Sequence, residues 1–226
     1  MFFFGGVREY GRVERCDDTW VSSNFVHANF CPLFPLRSMF HSATGQTREI
    51  PLHLTSIVAG YLRTYPFVLL LVGALAPGLS MLARAAMIAC ASLTLFAGFF
   101  VVGRLSEDEA ARRRVFSDYI GAPVDPTWLK GELPGIRQSL RDAWGETAAW
   151  LGARGYRGGT DLESALVTDD VDALRLAFAL TRVESALANG GERTRLRALD
   201  ARLWARLREV DADTKDRALA AGARHP

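Results

Sequence analysis

Two apolar runs lie almost back to back in the middle of this chain, at residues 65–83 and 85–102, with Arg84 between them. Each run is close to the length of about 20 residues that a helix needs to cross the hydrocarbon core of a bilayer. Pro77-Gly78 and Arg84 lie near the join, where the chain must turn back. The alternative is a buried helical hairpin in a soluble protein, but a chain of 226 residues offers little surface to cover both runs. The pattern therefore predicts a two-helix transmembrane hairpin within residues 56–104.

The basic residues beside these runs predict how the hairpin is oriented. Arg63 precedes the first run, and Arg104 with residues 112–114 follows the second, whereas the join offers Arg84 alone. Loops that stay in the cytoplasm carry the excess of basic residues. Both termini are therefore predicted to be cytoplasmic, in a multi-pass protein. Arginine outnumbers lysine strongly, since only two of the 27 basic residues are lysine, which is typical of a GC-rich bacterial genome and indicates a bacterial plasma (inner) membrane.

The residues before the hairpin have the pattern of strands. Residues 7–16 and 20–30 are rich in aromatic and β-branched side chains that partly alternate with polar ones, and Asp17-Asp18 falls where a hairpin turn would lie. Pro32 and Pro35 then exclude a central position in a sheet. Two more short strands are predicted further on, at residues 37–41 and 49–54. Residues 1–55 are thus predicted to form a small β-rich module at the membrane surface.

Several short strings in this half carry a resemblance. The strings are YGRV at residues 10–13, NFVHANFCPLFPL at residues 24–36, IPL at residues 50–52 and GAPVDPTWL at residues 121–129. Together they resemble a group of uncharacterised bacterial two-span membrane proteins with a small N-terminal β module. The resemblance implies the architecture and adds no activity. Some small bacterial zinc ribbons have a similar aromatic string after a CxxC pair, which this sequence lacks.

Four side chains of the N-terminal module are candidate metal ligands, namely Cys16, His27, Cys31 and His41. Structural zinc sites favour ligand pairs two to four residues apart, and only His27 with Cys31 has that spacing. In a strand these two side chains would share a face, because they are four residues apart. The plainer interpretation is two core thiols and two polar side chains. The metal site stays a secondary hypothesis.

After the hairpin the periodicity becomes helical, and an all-α helical bundle is predicted over residues 105–212. Ser106 and Thr160 each begin a capping box, and Thr168 is expected to cap a third helix. Residues 213–226 lose the periodicity and are predicted to form a flexible tail. The helices are expected at residues 107–119, 133–151, 161–167, 169–188 and 192–210, the last with a stripe formed by Leu196, Leu199, Leu203, Leu207 and Val210.

The helical half shows no set of residues typical of an enzyme. Asp169, Asp170 and Asp172 could hold a divalent metal, but a helix start already explains acidic residues there. No glycine-rich phosphate loop and no Ser/His/Asp set is present in the sequence. The last predicted helix is rich in arginine and could meet anionic lipid or an acidic partner. Interleaved acidic residues favour a solvated face with internal ion pairs.

These observations predict a non-catalytic, membrane-anchored adaptor or assembly subunit whose cytoplasmic helical bundle binds a protein partner or a second copy. The bilayer is its other partner, and no cofactor is expected. A net charge of +2 does not favour nucleic acid. The alternative is a metal- or redox-responsive membrane module that uses Cys16, His27, Cys31 and His41. Three cysteines give no disulfide framework and agree with a reducing compartment.

Overall fold

The computed structural model describes residues 5–75, 78–156 and 160–222. The chain divides into two compact units, residues 1–110 and residues 111–226. The first unit holds a sheet together with two apolar helices, and the second is helical. The sheet and the helical hairpin are therefore parts of one compact unit.

The sheet of the first unit is a four-stranded antiparallel meander. Its strands are β1 (Gly5–Cys16), β2 (Thr19–Ala28), β3 (Cys31–His41) and β4 (Thr47–Ile50), in the order β1-β2-β3-β4. The turn predicted at Asp17-Asp18 is confirmed. The next turn, at Asn29-Phe30, has positive φ at both residues, 47° and 69°, as a tight two-residue hairpin turn requires.

β3 begins at Cys31, six residues before the strand predicted at 37–41, and it passes through the two prolines that were expected to exclude a central strand position. β4 covers only the end of β3, pairing with residues 38–41. At Pro32 and Pro35, β3 is thus an edge strand that pairs with β2 alone, and its register with β2 is irregular nearby. A proline is tolerated there because no second neighbour requires its missing N–H.

One face of the sheet packs on the first apolar helix, α1 (Leu54–Leu75). Phe25 is fully buried at the centre of this interface, with the rings of Tyr10 and Tyr61 packed edge-on at 5.6 and 5.3 Å. Gly60 lets α1 approach closely, since a Cβ there would lie 3.2 Å from the Phe25 ring. The N-terminal half of α1 is consequently a helix of the sheet's core.

The second apolar helix, α2 (Met81–Phe96), continues as a π-helical turn over Ala97–Val101. It runs antiparallel to α1, because Gly73 faces Met87 near one end and Gly98 faces Leu62 near the other. α1 has 22 residues and Met81–Val101 has 21, and their most apolar 18-residue stretches have mean hydropathies of 1.6 and 1.8. By length and composition, both are long and apolar enough to span a membrane.

The ends of the two helices differ from the predicted spans. The break between them lies near residue 78 and not at Arg84, because the Ser80 Oγ accepts a hydrogen bond from the Ala83 N–H at 3.2 Å and caps α2. Gly78 has a φ of +86°, whereas Pro77 lies outside the described residues. α1 begins at Leu54, eleven residues before the first apolar run, so Arg63 lies inside the helix and not before it.

The second unit and the segment leading into it contain four α-helices in their described part. They are α3 (Glu107–Ile120), α4 (Leu133–Ala153), α5 (Val171–Leu187) and α6 (Gly190–Gly222), with short 3-10 turns at Pro126–Leu129 and Leu162–Val167. α5 is the centre of the core and packs against α4 and α6. Its Phe178 is fully buried and contacts the Trp204 ring of α6 at 5.2 Å.

Most helix starts and the α6 stripe agree with the sequence. Ser106 caps α3, as predicted, by accepting a hydrogen bond from the Glu109 N–H at 3.1 Å. The predicted stripe on α6 is buried. The residue that caps α5 is Asp170 and not Thr168. Likewise, the 3-10 turn at Leu162–Val167 is capped by Asp161 and not by Thr160. The helix end predicted at Val210 is wrong, since α6 continues to Gly222; residues 223–226 lie outside the described residues.

Candidate functional site at the sheet–hairpin junction

The four candidate metal ligands do not meet in one place. Cys16 pairs across the strands with Thr19, and His41 pairs with Trp20. Because Thr19 and Trp20 are consecutive in β2, Cys16 and His41 lie on opposite faces of the sheet. His41 stacks on Trp20 at 4.8 Å and shares a 2.8 Å hydrogen bond with the Ser22 Oγ. Burial lowers the pKa of His41, so its imidazole is neutral at pH 7.

The other two candidates, His27 and Cys31, lie at the opposite end of β2 and β3. The turn at Asn29-Phe30 places them on different strands, where His27 pairs with Pro32 and Cys31 pairs with Ala28. The same-face argument from their four-residue spacing therefore does not apply. Among the described residues, no three His, Cys, Asp or Glu side chains are placed to hold a metal ion.

The polar residues that the structure does bring together lie where β1 crosses α1. The β1 register shifts between Tyr10 and Val13, and this irregularity presents Gly11 to the helix. The Ser56 Oγ donates to the Gly11 carbonyl at 2.9 Å. Gly11 has a φ of +67°, and a Cβ there would lie 1.9 Å from the Ser56 carbonyl oxygen. Strand and helix backbones are therefore in direct contact.

Arg63 joins three elements at this crossing. Its Nε donates to the Gly98 carbonyl at 2.6 Å, and its Nη1 donates to the Arg12 carbonyl of β1 at 2.6 Å. Its Nη2 lies 3.5 Å from the Val102 carbonyl, and the guanidinium lies 5.2 Å from the centre of the Phe99 ring. The last carbonyls of a helix have no partner within it and carry partial negative charge. The planar guanidinium satisfies them and holds the end of α2 against α1 and β1.

A second polar chain lies beside Arg63. The Glu14 N–H donates to the Gly103 carbonyl at 2.7 Å, and the Glu14 Oε1 lies 3.0 Å from His53 Nε2. His53 Nδ1 accepts a hydrogen bond from the Ser56 N–H at 3.3 Å. The Nε2–H of His53 is thus left to donate a hydrogen bond to the Glu14 carboxylate. The His53 N–H in turn donates to the Ser38 Oγ at 2.9 Å. These bonds tie β1, β3 and α1 together with the segment that leaves α2.

A basic groove of about 690 Å³ opens at this junction between β1, α1 and the segment after α2. We call it the arginine groove, because four arginines line it: Arg12, Arg15, Arg63 and Arg104. Glu9 is the acidic residue among the described residues that line it, and its Oε1 lies 3.2 Å from Arg12 Nε. Arg12, Arg15 and Arg104 are exposed, whereas Arg63 is half-buried. The groove therefore has an excess of positive charge.

Two of the three acidic side chains considered for a divalent metal, Asp169 and Asp170, have other roles in the helical unit. Asp170 Oδ1 accepts from the Ala173 N–H at 2.9 Å as a cap, and Asp169 forms an ion pair with Arg206. The Asp172 carbonyl faces the Tyr119 hydroxyl at 3.4 Å. Within α6, Arg206 pairs with Glu209 at 2.7 Å, and Arg195 lies 3.9 Å from Glu192. The ion pairs expected for the arginine-rich helix are thus present among the described residues.

A shallow groove of about 480 Å³ lies on the surface of the helical unit. We call it the Trp150 groove; its lining includes Tyr119, Glu146, Thr147, Trp150, Asp172 and Leu176. Trp150 is 47% exposed, although its ring is stacked by the Arg154 guanidinium. Burial raises the pKa of Tyr119 to about 12, so its hydroxyl stays protonated as a hydrogen-bond donor. An exposed tryptophan in a surface groove suits contact with another protein.

Sequence reasoning did not find the arginine groove. Arg63 and Arg104 were used for orientation only, and Arg12 and Arg15 stand on a predicted strand far from them in the chain. The one usable signal was an arginine close to an apolar run, which commonly satisfies carbonyls or meets headgroups. Comparisons of this chain with known protein families, with curated proteins and with solved structures find no match.

Proposed function

We propose that this protein is a two-span integral protein of the bacterial inner membrane, with both termini in the cytoplasm. In this proposal it is a non-catalytic adaptor or assembly subunit. α1 and α2 cross the bilayer as a hairpin, and the helical unit binds a protein partner.

The surface of the helical hairpin carries the membrane part of the proposal. Large apolar side chains of α1 and α2 point away from the protein, and water-soluble monomers rarely expose apolar patches of more than a few hundred Å². Leu71 is 60% exposed, Leu82 82% and Leu93 70%. Others that are exposed are Phe67, Leu69, Val72, Leu75, Met81, Ile88 and Phe96. A bilayer would cover all of them.

The end of the hairpin near the sheet has the features of a membrane–water interface. Tyr65, Phe99 and Phe100 are exposed there, and aromatic rings favour the interfacial level. Arg104 lies 5.9 Å from the Phe100 ring. The sheet follows at once, since it packs on the N-terminal half of α1. We therefore place the sheet at the cytoplasmic headgroup level.

The Trp150 groove is the surface that we propose for the protein partner. It combines an exposed aromatic ring with the acidic side chains Glu146 and Asp172. A partner segment that offers one apolar anchor and a basic residue would match both. Truncation of a tryptophan hot spot to alanine costs about 2 kcal/mol or more of binding free energy.

Replacing Trp150 by alanine is expected to weaken capture of the partner by about thirtyfold while leaving the fold unchanged, because the side chain is exposed. The measurement compares proteins cross-linked to the tagged full-length chain in native membranes. Gln138→Ala is the matched control, since Gln138 is an exposed residue of the same helix outside the groove. If the same proteins were captured equally by both variants, the Trp150 groove would not be the docking surface.

A further inference from the structure

We propose that the arginine groove binds the phosphate of an anionic phospholipid headgroup. The ligand is recognised as a phosphate anion by the exposed guanidinium groups of Arg12, Arg15 and Arg104. Its lipid origin rests on the membrane placement proposed above, because the groove opens at the interfacial end of the hairpin.

The charge of the groove favours an anion. Arg12, Arg15 and Arg104 reach it from β1 and from the segment after α2, and Glu9 alone among its described lining residues opposes them. Glu9 is itself paired with Arg12, whose Nε lies 3.2 Å from the Glu9 Oε1. Guanidinium groups present paired N–H donors that match two oxygens of one phosphate. The excess of positive charge, carried by guanidinium donors, therefore favours a phosphate as the ligand.

The construction of the groove makes it a fixed site. Arg63 already donates to three backbone carbonyls and holds the walls of the groove together. Gly103 lets the segment after α2 lie against β1, because a Cβ there would be 2.2 Å from the Val13 side chain. A volume of about 690 Å³ is within the range of about 300–1,000 Å³ found for small-molecule sites.

The neighbouring surface suits the rest of a lipid. Phe99 lines the groove and is 51% exposed. Beyond it, the exposed side chains of α1 and α2 form an apolar surface, on which acyl chains can lie while the headgroup stays among the arginines. A free phosphate ion would use the arginines alone. The continuity of the basic groove with the apolar surface therefore favours the lipid.

The test uses the full-length protein in mild detergent with equal amounts of phosphatidylglycerol and phosphatidylcholine, followed by mass-spectrometric counting of the retained lipids. The wild type is expected to retain phosphatidylglycerol about tenfold over phosphatidylcholine. The variant Arg12→Gln/Arg15→Gln/Arg104→Gln is expected to retain both equally. Arg63 is left unchanged because it holds the junction. Arg15→Glu alone, at an exposed side chain, is expected to lower the preference about threefold.

The matched control is Arg8→Gln/Arg37→Gln/Arg48→Gln, which removes the same charge from the same sheet outside the groove. It is expected to keep the wild-type preference. An equal loss in this control, or no preference in the wild type, would overturn the proposal. An equal loss in the control would show that the headgroup is attracted by the overall positive charge of the sheet and not by the groove.

A second arm separates the two sources of phosphate. Excess inorganic phosphate is expected to leave the retained phosphatidylglycerol unchanged. Binding of radiolabelled inorganic phosphate to the wild type, its loss in the groove variant and no lipid preference would together overturn the lipid assignment. Alkaline extraction of wild-type membranes is scored separately, so a failure of the proposed membrane insertion is distinguished from a failure of the groove.

Discussion

The Gly11→Ala variant is expected to destabilise the first unit by about 3 kcal/mol or more. The added Cβ would lie 1.9 Å from the Ser56 carbonyl oxygen and 2.9 Å from the Gly60 nitrogen. Both are backbone atoms of α1, so relief of the clash requires separation of the strand from the helix. The positive φ of +67° adds a further cost for any side chain. Amide hydrogen exchange in β1 and β2 is expected to become about 100-fold faster.

Gly45→Ala is the control that isolates the backbone cost at Gly11. Gly45 has a similar φ of +79°, but nothing lies within 4 Å of the position of its Cβ. This variant is expected to cost about 1 kcal/mol. If the two variants changed exchange equally, the close contact between β1 and α1 would be contradicted.

The second large effect is expected for Arg63→Met, which keeps the length of the side chain and removes its donors. The carbonyls of Gly98 and Arg12 then lose their partner inside the protein, and each such loss costs about 1–3 kcal/mol. A total of about 3 kcal/mol is expected. Exchange is predicted to rise at residues 97–103 and in β1, with little change in α5.

Arg63→Lys separates charge from geometry in the same measurement. A lysine keeps the charge but lacks the planar fork that reaches carbonyls in two directions, so an intermediate effect is expected. Arg37→Met, at an exposed arginine of β3, is expected to change exchange little. A comparable effect of Arg37→Met would show that loss of charge, and not loss of the carbonyl bonds, destabilises the unit.

The helical unit was the most predictable part of the chain. Ser106 is followed by acidic residues and a helical pattern. The apolar stripe of α6 that includes Leu203 has regular helical spacing. Such signals are local, so one sequence contains them in full. The α6 end was wrong because residues after Val210 have a poor apolar pattern but no residue that breaks a helix before Gly222.

The hairpin illustrates the limit of apolar patterning. Hydropathy placed the turn near Arg84, whereas the Ser80 cap and Gly78 place it a few residues earlier. It also could not show that α1 begins at Leu54, because residues 54–64 pack on a sheet and need not be continuously apolar. The length of a buried helix is set by its partner as well as by its own sequence.

The site was hidden because its residues come from distant segments. Arg12, Arg63 and Arg104 meet only once the sheet has packed on α1 and α2 has returned alongside it. The metal hypothesis is misleading for the opposite reason, because residues that are close in sequence need not be close in the fold. His27 and Cys31 are close in sequence, but the two-residue turn between them places them on separate strands. Spacing is informative only inside one regular element.

The reactivity of Cys90 in native membranes tests the membrane placement most directly. Cys90 lies in α2 and is exposed on the surface of the protein, so a bilayer would shield it, whereas water would not. In a chain with Cys16 and Cys31 replaced by alanine, Cys90 is predicted to resist a water-soluble maleimide in freeze–thawed membranes and to react after denaturation. Ala43→Cys, in the exposed turn before β4, is the reactive reference. Modification of Cys90 as fast as this reference would contradict the proposed transmembrane hairpin.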